Sequence, residues 1–478
     1  MAEGTPTPFA YTLIRLLFHF VLRIFYGSIV VENAHLIPKT GKPCIVCANH
    51  TNSLIDASLL VTSVPLYNGQ RRNMLRLTAK STQFGKPTFT SWLIESAGTV
   101  PIHRRKDFNA PVDNTEAMAS LMKALEAGDA VMMFPEGMSR FHPTIAPLKT
   151  GVARLASDIL SQHRDDIDFE LSILNCSITY MHRQHWRSDV LVTWHPPLTL
   201  SPQKNPELLK AYRISQQISS GTFDSPSWHL VQLSKLAARM YAPLGTKMSL
   251  GDYVRITRTF LEAFKDAHED NLEDNEHMNP EIAKTYHHLL VSRGIKDDRV
   301  RRPLPRREIL RRIAIRLVWA SFLFSISMPG LMLWLPVFVT TFYAVHEFKK
   351  SGPIFDTFDE IAQYKLIYGL LSGVAVWFCG VILTLPVALI TAFLIPALMW
   401  MTLRWMEDCV ASFRAFFTLL RLLRIGKPAL HEMRTLRDGL HGRIMDLAIS
   451  IDLPPNPEED WNETLRLYDK VDYPDEDS

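Results

Sequence analysis

The chain is poor in cysteine, close to neutral in charge, and without a cluster of cysteines and histidines spaced to hold a metal. Its five cysteines are Cys44, Cys47, Cys176, Cys379 and Cys409. Cys44 and Cys47 have no second cysteine pair or close histidine pair to complete a zinc site. Residues three apart on a strand face opposite ways, so packing is the role expected of both. No disulfide framework is expected, which suits a reducing compartment. Lys and Arg number 52 against 49 Asp and Glu, a net charge of +3, and this balance gives no reason to expect a nucleic-acid partner. The N-terminal segment lacks the uninterrupted apolar core and small-residue cleavage site of a secretory signal. No internal repeat is apparent, and no serine or cysteine has the neighbours of a covalent nucleophile.

Long uncharged stretches, in contrast, are present. Residues 317–345 and 366–403 carry no charge and are rich in Leu, Phe, Val and Trp. About 20 apolar residues span a bilayer, so both stretches read as transmembrane. Arg299, Arg301, Arg302, Arg306, Arg307, Arg311, Arg312 and Arg316 precede the first; Arg404, Arg414, Arg421, Arg424 and Lys427 follow the second. Positive flanks on both sides predict an even number of crossings with the bulk of the chain cytosolic. The preferred arrangement is two tilted spans, joined by a non-cytoplasmic segment at 346–365, with Pro386 and Pro396 able to kink the second or fold it into a hairpin. Residues 11–31 are apolar except for Arg15, His19 and Arg23, which recur every four residues on one helical stripe. That pattern predicts an interfacial helix over 1–35, its arginines toward anionic phosphates. The alternative is a core helix with snorkelling arginines.

Between these segments, apolar runs of strand length alternate with helical patterns. Strands are expected near 43–48, 74–79, 98–102, 130–134, 170–178 and 189–194, with helices at 52–64, 84–96, 114–127 and 147–161, the third capped at Gly128. The alternation predicts an α/β domain with a mixed sheet flanked by helices over 36–200. Residues 201–310 read as an accessory helical region, 407–453 as cytosolic helices, and 454–478 as an acidic disordered tail.

Three polar clusters end apolar runs. The first, Asn49-His50-Thr51-Asn52-Ser53-Leu54-Ile55-Asp56, puts a histidine where a strand ends and an aspartate about one and a half turns into the next helix. A carboxylate on one ring nitrogen fixes the tautomer and leaves the other to take a proton. The second runs from Gly98 to Lys106 and ends in His103, Arg104, Arg105 and Lys106. The third, Phe134-Pro135-Glu136-Gly137-Met138-Ser139-Arg140, is followed by Pro147-Leu148-Lys149-Thr150-Gly151. Cations and backbone N–H groups suit a phosphate, and a base beside them suits deprotonating a hydroxyl of the same molecule.

Together these clusters, with residues 173–180, resemble the four ordered blocks of the glycerolipid acyltransferases, the glycerol-3-phosphate and lysophosphatidic acid acyltransferases. The resemblance covers roughly residues 40–200. Two departures are similar to the fungal-type branch that acylates glycerol 3-phosphate or dihydroxyacetone phosphate. Five residues rather than four separate His50 from Asp56, and Ser139 occupies the usual arginine position, with Arg140 one place later. The resemblance implies a membrane-bound enzyme of the endoplasmic reticulum whose catalytic domain faces the cytosol. It would use acyl-CoA as co-substrate, with no metal or other cofactor, and acylate glycerol 3-phosphate or dihydroxyacetone phosphate, lysophosphatidic acid being the alternative acceptor. It implies His50 as general base, Asp56 as its orienting partner, and Arg104, Ser139, Arg140 and Lys149 as the phosphate-binding group. Glu136 and Gly137 would hold the loop and admit close backbone approach. A metal-dependent phosphoesterase using His50, Asp56, His103 and Glu136, and a non-enzymatic membrane scaffold, are the readings from other classes.

Overall fold

The computed structural model describes residues 4–65, 72–103, 114–140, 142–166, 168–183, 187–202, 223–242, 248–269, 280–301, 304–350 and 360–453. Arg104, Arg105, Lys106 and the acidic tail lie outside them. The chain divides into two compact units, residues 1–224 with 351–363, and residues 225–350 with 364–478.

The first unit is built on a mixed sheet. Its strands are β1 (Ile29–Glu32), β2 (Cys44–Ala48), β3 (Leu75–Arg76), β6 (Ala130–Met133), β7 (Leu171–Tyr180), β8 (Val190–Trp194) and β9 (Leu198–Leu200), in the order β1-β8-β7-β2-β6-β3 with β9 on β7. β4 (Thr78–Lys80) and β5 (Val100–Ile102) form a separate parallel pair. β2 runs parallel to both β6 and β7, while β7 is antiparallel to β8 and β9. Every residue of β2 is buried. A central parallel strand covered on both faces needs no polar alternation, which is why 44–48 reads as one apolar run. Ile45, Cys47, Val131 and Ile173 pack with Leu121 and Leu125 of α4 (Thr115–Glu126) and Leu155 and Ile159 of α5 (Gly151–Gln162). Burial pushes the Cys44 thiol up to about 11 and that of Cys47 higher still, as expected of cysteines that pack. Gly128 follows α4 at φ +83, where an added Cβ would meet the Gly41 backbone at 2.7 Å. Both the left-handed turn and the close approach call for glycine.

The N-terminal segment departs from expectation. Helix α1 spans Phe9–Phe25, and the apolar residues after it form β1 in the sheet instead of extending a helix. Arg187 ends the helix by donating from Nη1 to the carbonyls of Arg23 at 2.8 Å and Tyr26 at 2.6 Å. Arg15 does not face outward: it is buried, and its guanidinium donates to the Val64 carbonyl beyond α2 (Ser53–Ser63). The carbonyls at a helix end attract a cation, and here that attraction turns Arg15 inward. Arg23 is exposed, as are Phe9, Leu13, Leu16 and Phe20.

The second unit is helical. Helices α6 (Trp228–Tyr241), α7 (Leu250–Glu269), α8 (Pro280–Arg293) and α9 (Asp297–Arg301) share one apolar core with α13 (Lys427–Ser450). The accessory region and the late cytosolic helices, read as separate segments, are thus one body. Buried Asp297 accepts from Arg437 Nε at 2.9 Å and from the Tyr286 hydroxyl at 2.6 Å, joining α9, α13 and α8. α10 (Arg306–Lys350) and α12 (Ala388–Ile425) form an antiparallel pair. Cys409 Sγ donates to the Ala320 carbonyl at 3.3 Å, and Trp334 Nε1 to that of Met399 at 3.0 Å. The second apolar stretch, expected as one tilted span, is two helices: α11 (Ile361–Leu383) and α12, separated by a 3-10 turn at Leu385–Val387. Pro386 sits in that turn, where its missing N–H and fixed φ break the helix, whereas Pro396 is accommodated inside α12. Among the described residues three helices, not two, are long and apolar enough to cross a membrane.

Candidate active site

β2, β6 and β7 are parallel neighbours, so their C-terminal ends lie on one edge of the sheet, where α/β sheets place ligands. The three ends deliver Asn49 and His50, then Phe134 to Glu136, then Tyr180. Asn49 locks the first to the third. Its side-chain oxygen accepts from Ile178 N at 2.7 Å, and its nitrogen donates to the Ile178 carbonyl at 2.9 Å, as a strand residue would. The chain then turns sharply through Ser53, a non-glycine residue at φ +46, into α2.

That turn brings Asp56 back to His50. His50 Nδ1 lies 2.9 Å from Asp56 Oδ2, with the carboxylate fully buried and the imidazole 17% exposed. The same oxygen accepts from the amides of Thr51 at 2.8 Å and Asn52 at 2.7 Å. Oδ1 accepts from the Tyr180 hydroxyl at 2.5 Å. The imidazole stacks on Phe134, with centroids 3.8 Å apart and planes within 9°. Glu136 Oε1 accepts from the His50 amide at 2.7 Å, and Arg140 N donates to the His50 carbonyl at 3.1 Å. Arg183 donates from Nη1 to the Thr51 carbonyl at 3.0 Å. The ring is therefore fixed in plane, tautomer and backbone position, with Nε2 opposite the carboxylate.

The sequence-derived candidates fall into three groups. His50 and Asp56 meet directly. Glu136, Gly137, Arg140 and Lys149 lie in one loop system around them. Gly137 has φ +72, and a Cβ there would sit 2.5 Å from Lys149 Nζ, so the lysine side chain crosses directly over it. Lys149 N donates to the Pro135 carbonyl at 2.8 Å. Arg140 Nε is buried without a hydrogen-bond partner among the described residues. Ser139 is half-buried in the same loop. Arg104 lies outside the described residues. His103, at the end of β5, is tied away from any ligand set: its Nδ1 is 2.8 Å from Ser81 Oγ, and Asn114 pairs with both its amide and its carbonyl. Among the described residues no three His, Cys, Asp or Glu side chains gather as a metal cluster would. Phe134 and Tyr180 stand in the sequence only as ends of their blocks, with no role attached, and Arg183 lies outside all of them. The available signal was that Phe134 and Tyr180 end strands beside the one that ends at His50.

Comparison with known proteins adds family information. Residues 28–178 match a family model described as Acyltransferase, and residues 233–452 match one described as Glycerol-3-phosphate acyltransferase 2 C-terminal domain. Glycerol-3-phosphate O-acyltransferase 2 of Saccharomyces cerevisiae is 23% identical over 470 residues, covering 74% of this chain and 62% of its own length. An uncharacterized acyltransferase of Schizosaccharomyces pombe is 25% identical, covering 70% of this chain and 54% of its own. The chain thus spans between half and two thirds of the length of these relatives. Among solved structures, the 1-acyl-sn-glycerophosphate (LPA) acyltransferase PlsC from Thermotoga maritima matches with a TM-score of 0.32 at 18% identity, over 44% of this chain and 75% of that one.

Proposed function

We propose that this chain, whose residues 28–178 match the Acyltransferase family model and whose residues 233–452 match a glycerol-3-phosphate acyltransferase 2 C-terminal domain, moves a fatty acyl group from acyl-CoA to the sn-1 hydroxyl of glycerol 3-phosphate, dihydroxyacetone phosphate or both. The observation that carries the chemistry is the 2.9 Å contact between His50 Nδ1 and Asp56 Oδ2. A thioester is already activated, so the enzyme has to deprotonate an alcohol, hold it in place and stabilise one oxyanion. His50 Nε2 takes the hydroxyl proton as the oxygen attacks the thioester carbonyl. The tetrahedral intermediate collapses, the C–S bond breaks, and the imidazolium returns the proton to the leaving thiolate. Asp56 holds the tautomer and stabilises the cation formed in between. Arg104, Arg140 and Lys149 supply positive charge for the acceptor's phosphate, and Ser139 a hydroxyl donor. Attachment through the apolar helices puts the acylated product beside the bilayer; the endoplasmic reticulum, with this domain facing the cytosol, is the location that fits acyl-CoA supply.

Acyl transfer from labelled oleoyl-CoA by the purified full chain, beside His50→Ala, tests this with three acceptors: glycerol 3-phosphate, dihydroxyacetone phosphate and lysophosphatidic acid. The expected result is transfer to one or both small phosphates, reduced by several orders of magnitude in the variant. Transfer to lysophosphatidic acid alone replaces the acceptor assignment. Near-normal turnover by His50→Ala removes the mechanism.

A further inference from the structure

The two oxygens of Asp56 do different things. Oδ2 meets the imidazole and two amides, whereas Oδ1 accepts from the Tyr180 hydroxyl. Tyr180 is the last residue of β7, 124 positions from Asp56 in sequence, and nothing in the acyl-transfer chemistry above uses it. Beyond it lies Tyr26, whose ring centroid is 6.0 Å away and whose hydroxyl accepts from Asn52 Nδ2 at 3.2 Å.

We propose that Tyr180 is a positioning residue of this site: by donating to Asp56 Oδ1 it keeps the carboxylate from rotating and draws charge away from His50, so that the imidazole stays unprotonated and able to act as a base. This rests on the acyl-transfer reading, in which His50 takes the hydroxyl proton.

A fully buried carboxylate beside an imidazole strongly favours the imidazolium, and an imidazolium cannot accept a proton. A second donor on the carboxylate weakens that pull. Burial first, then the neighbouring Asp56 charge, hold the Tyr180 phenol well above the ordinary tyrosine range, so it remains a donor throughout the working pH. The other groups around His50 are placed differently. Glu136 and Arg140 meet its backbone, Arg183 meets the Thr51 carbonyl, Lys149 crosses Gly137, and Tyr26 reaches Asn52. Of these contacts, only that of Tyr180 falls on the carboxylate oxygen opposite the imidazole.

The test is the pH dependence of kcat/KM for acyl transfer by the full chain in detergent, for three proteins: the parent, Tyr180→Phe, and the parent with 3-fluorotyrosine at position 180. Loss of the donor should lower kcat with little change in either KM. It should also move the acid limb to higher pH, by about half to one unit, the net scale of one ordinary hydrogen bond. The fluorinated phenol is a stronger donor and should move the limb to lower pH. A residue that merely packs would change stability and leave the limb in place, so superimposable limbs for both variants overturn the proposal. Should Tyr180→Phe fail to fold, the fluorotyrosine protein alone decides. His50→Ala run alongside separates the two ideas: if it stays active, the acyl-transfer reading falls, whatever Tyr180 does.

Discussion

Glu136 is buried, yet two amides keep its carboxylate in place: His50 N at 2.7 Å and Ala146 N at 3.4 Å. Burial pushes its carboxyl above the usual carboxylate value, against the pull of those amides and of the imidazole. A folded-state value above the unfolded one means that the folded chain binds the proton more tightly. Glu136 therefore weighs against folding at neutral pH, and that cost is relieved as the pH falls through its folded-state value. Glu136→Gln keeps an acceptor for His50 N without the charge, so its melting temperature at neutral pH should equal or exceed the parent's. Glu136→Ala strands buried donors and should cost about 1–3 kcal/mol. Thermal unfolding in detergent across pH 5 to 8 checks both, and a Gln variant clearly less stable than the parent at neutral pH would contradict the account. His50 and Asp56 were legible because their partnership spans six positions. Asn49 with Ile178, 129 positions apart, was not.

Among the elements, the loop between β6 and α5 carries most of the site. Gly137 combines a left-handed backbone with a lysine chain lying over its Cα, so Gly137→Ala meets both a strained φ and a clash with Lys149. The left-handed conformation alone costs about 1–2 kcal/mol. On the proposed acyl-transfer reading, displacing Lys149 should also raise KM for glycerol 3-phosphate at least ~tenfold, taken as the loss of one charge-assisted hydrogen bond, with a much smaller change for acyl-CoA. Steady-state kinetics against each substrate decide it, and equal changes in both would remove Lys149 from the phosphate site. Sequence pattern placed most elements of this unit to within a few residues, but it gave one strand over 74–79 where β3 and β4 lie in separate sheets, and it missed β1 and β9. Strands of four and three residues, half covered, carry too little periodicity to stand out.

For the whole molecule, the antiparallel α10–α12 pair brings Arg306, Arg307, Arg311, Arg312 and Arg316 to the same end as Arg414, Arg421 and Arg424, with Ile309 packed on Leu419 and Leu422 there. The two expected spans are three candidate helices among the described residues, of which α10 and α12 run in opposite directions. With three helices of this length and hydropathy, the chain should stay in the membrane pellet through alkaline carbonate and high-salt washes and leave it only with detergent. Release by carbonate would mean that it lies on the surface. The helical unit was invisible as a unit, since Arg437 and Asp297 that close its interior are 140 positions apart.

What the chain's own order of residues determined was local: which runs are buried strands, where a histidine and an aspartate can meet across one turn, and which stretches are too apolar for water. These depend on spacings of two to seven residues, within reach of backbone geometry alone. Tertiary structure decided what no spacing encodes. It turned Arg15 inward onto a helix end, folded the second apolar stretch at Pro386, joined helices α6 to α9 with α13 in one core, and set Tyr180 on the far oxygen of Asp56. Each of these contacts satisfies a buried polar group or covers an apolar face with a partner distant in the chain. Only the folded molecule, where burial makes an unpaired group costly, selects that partner.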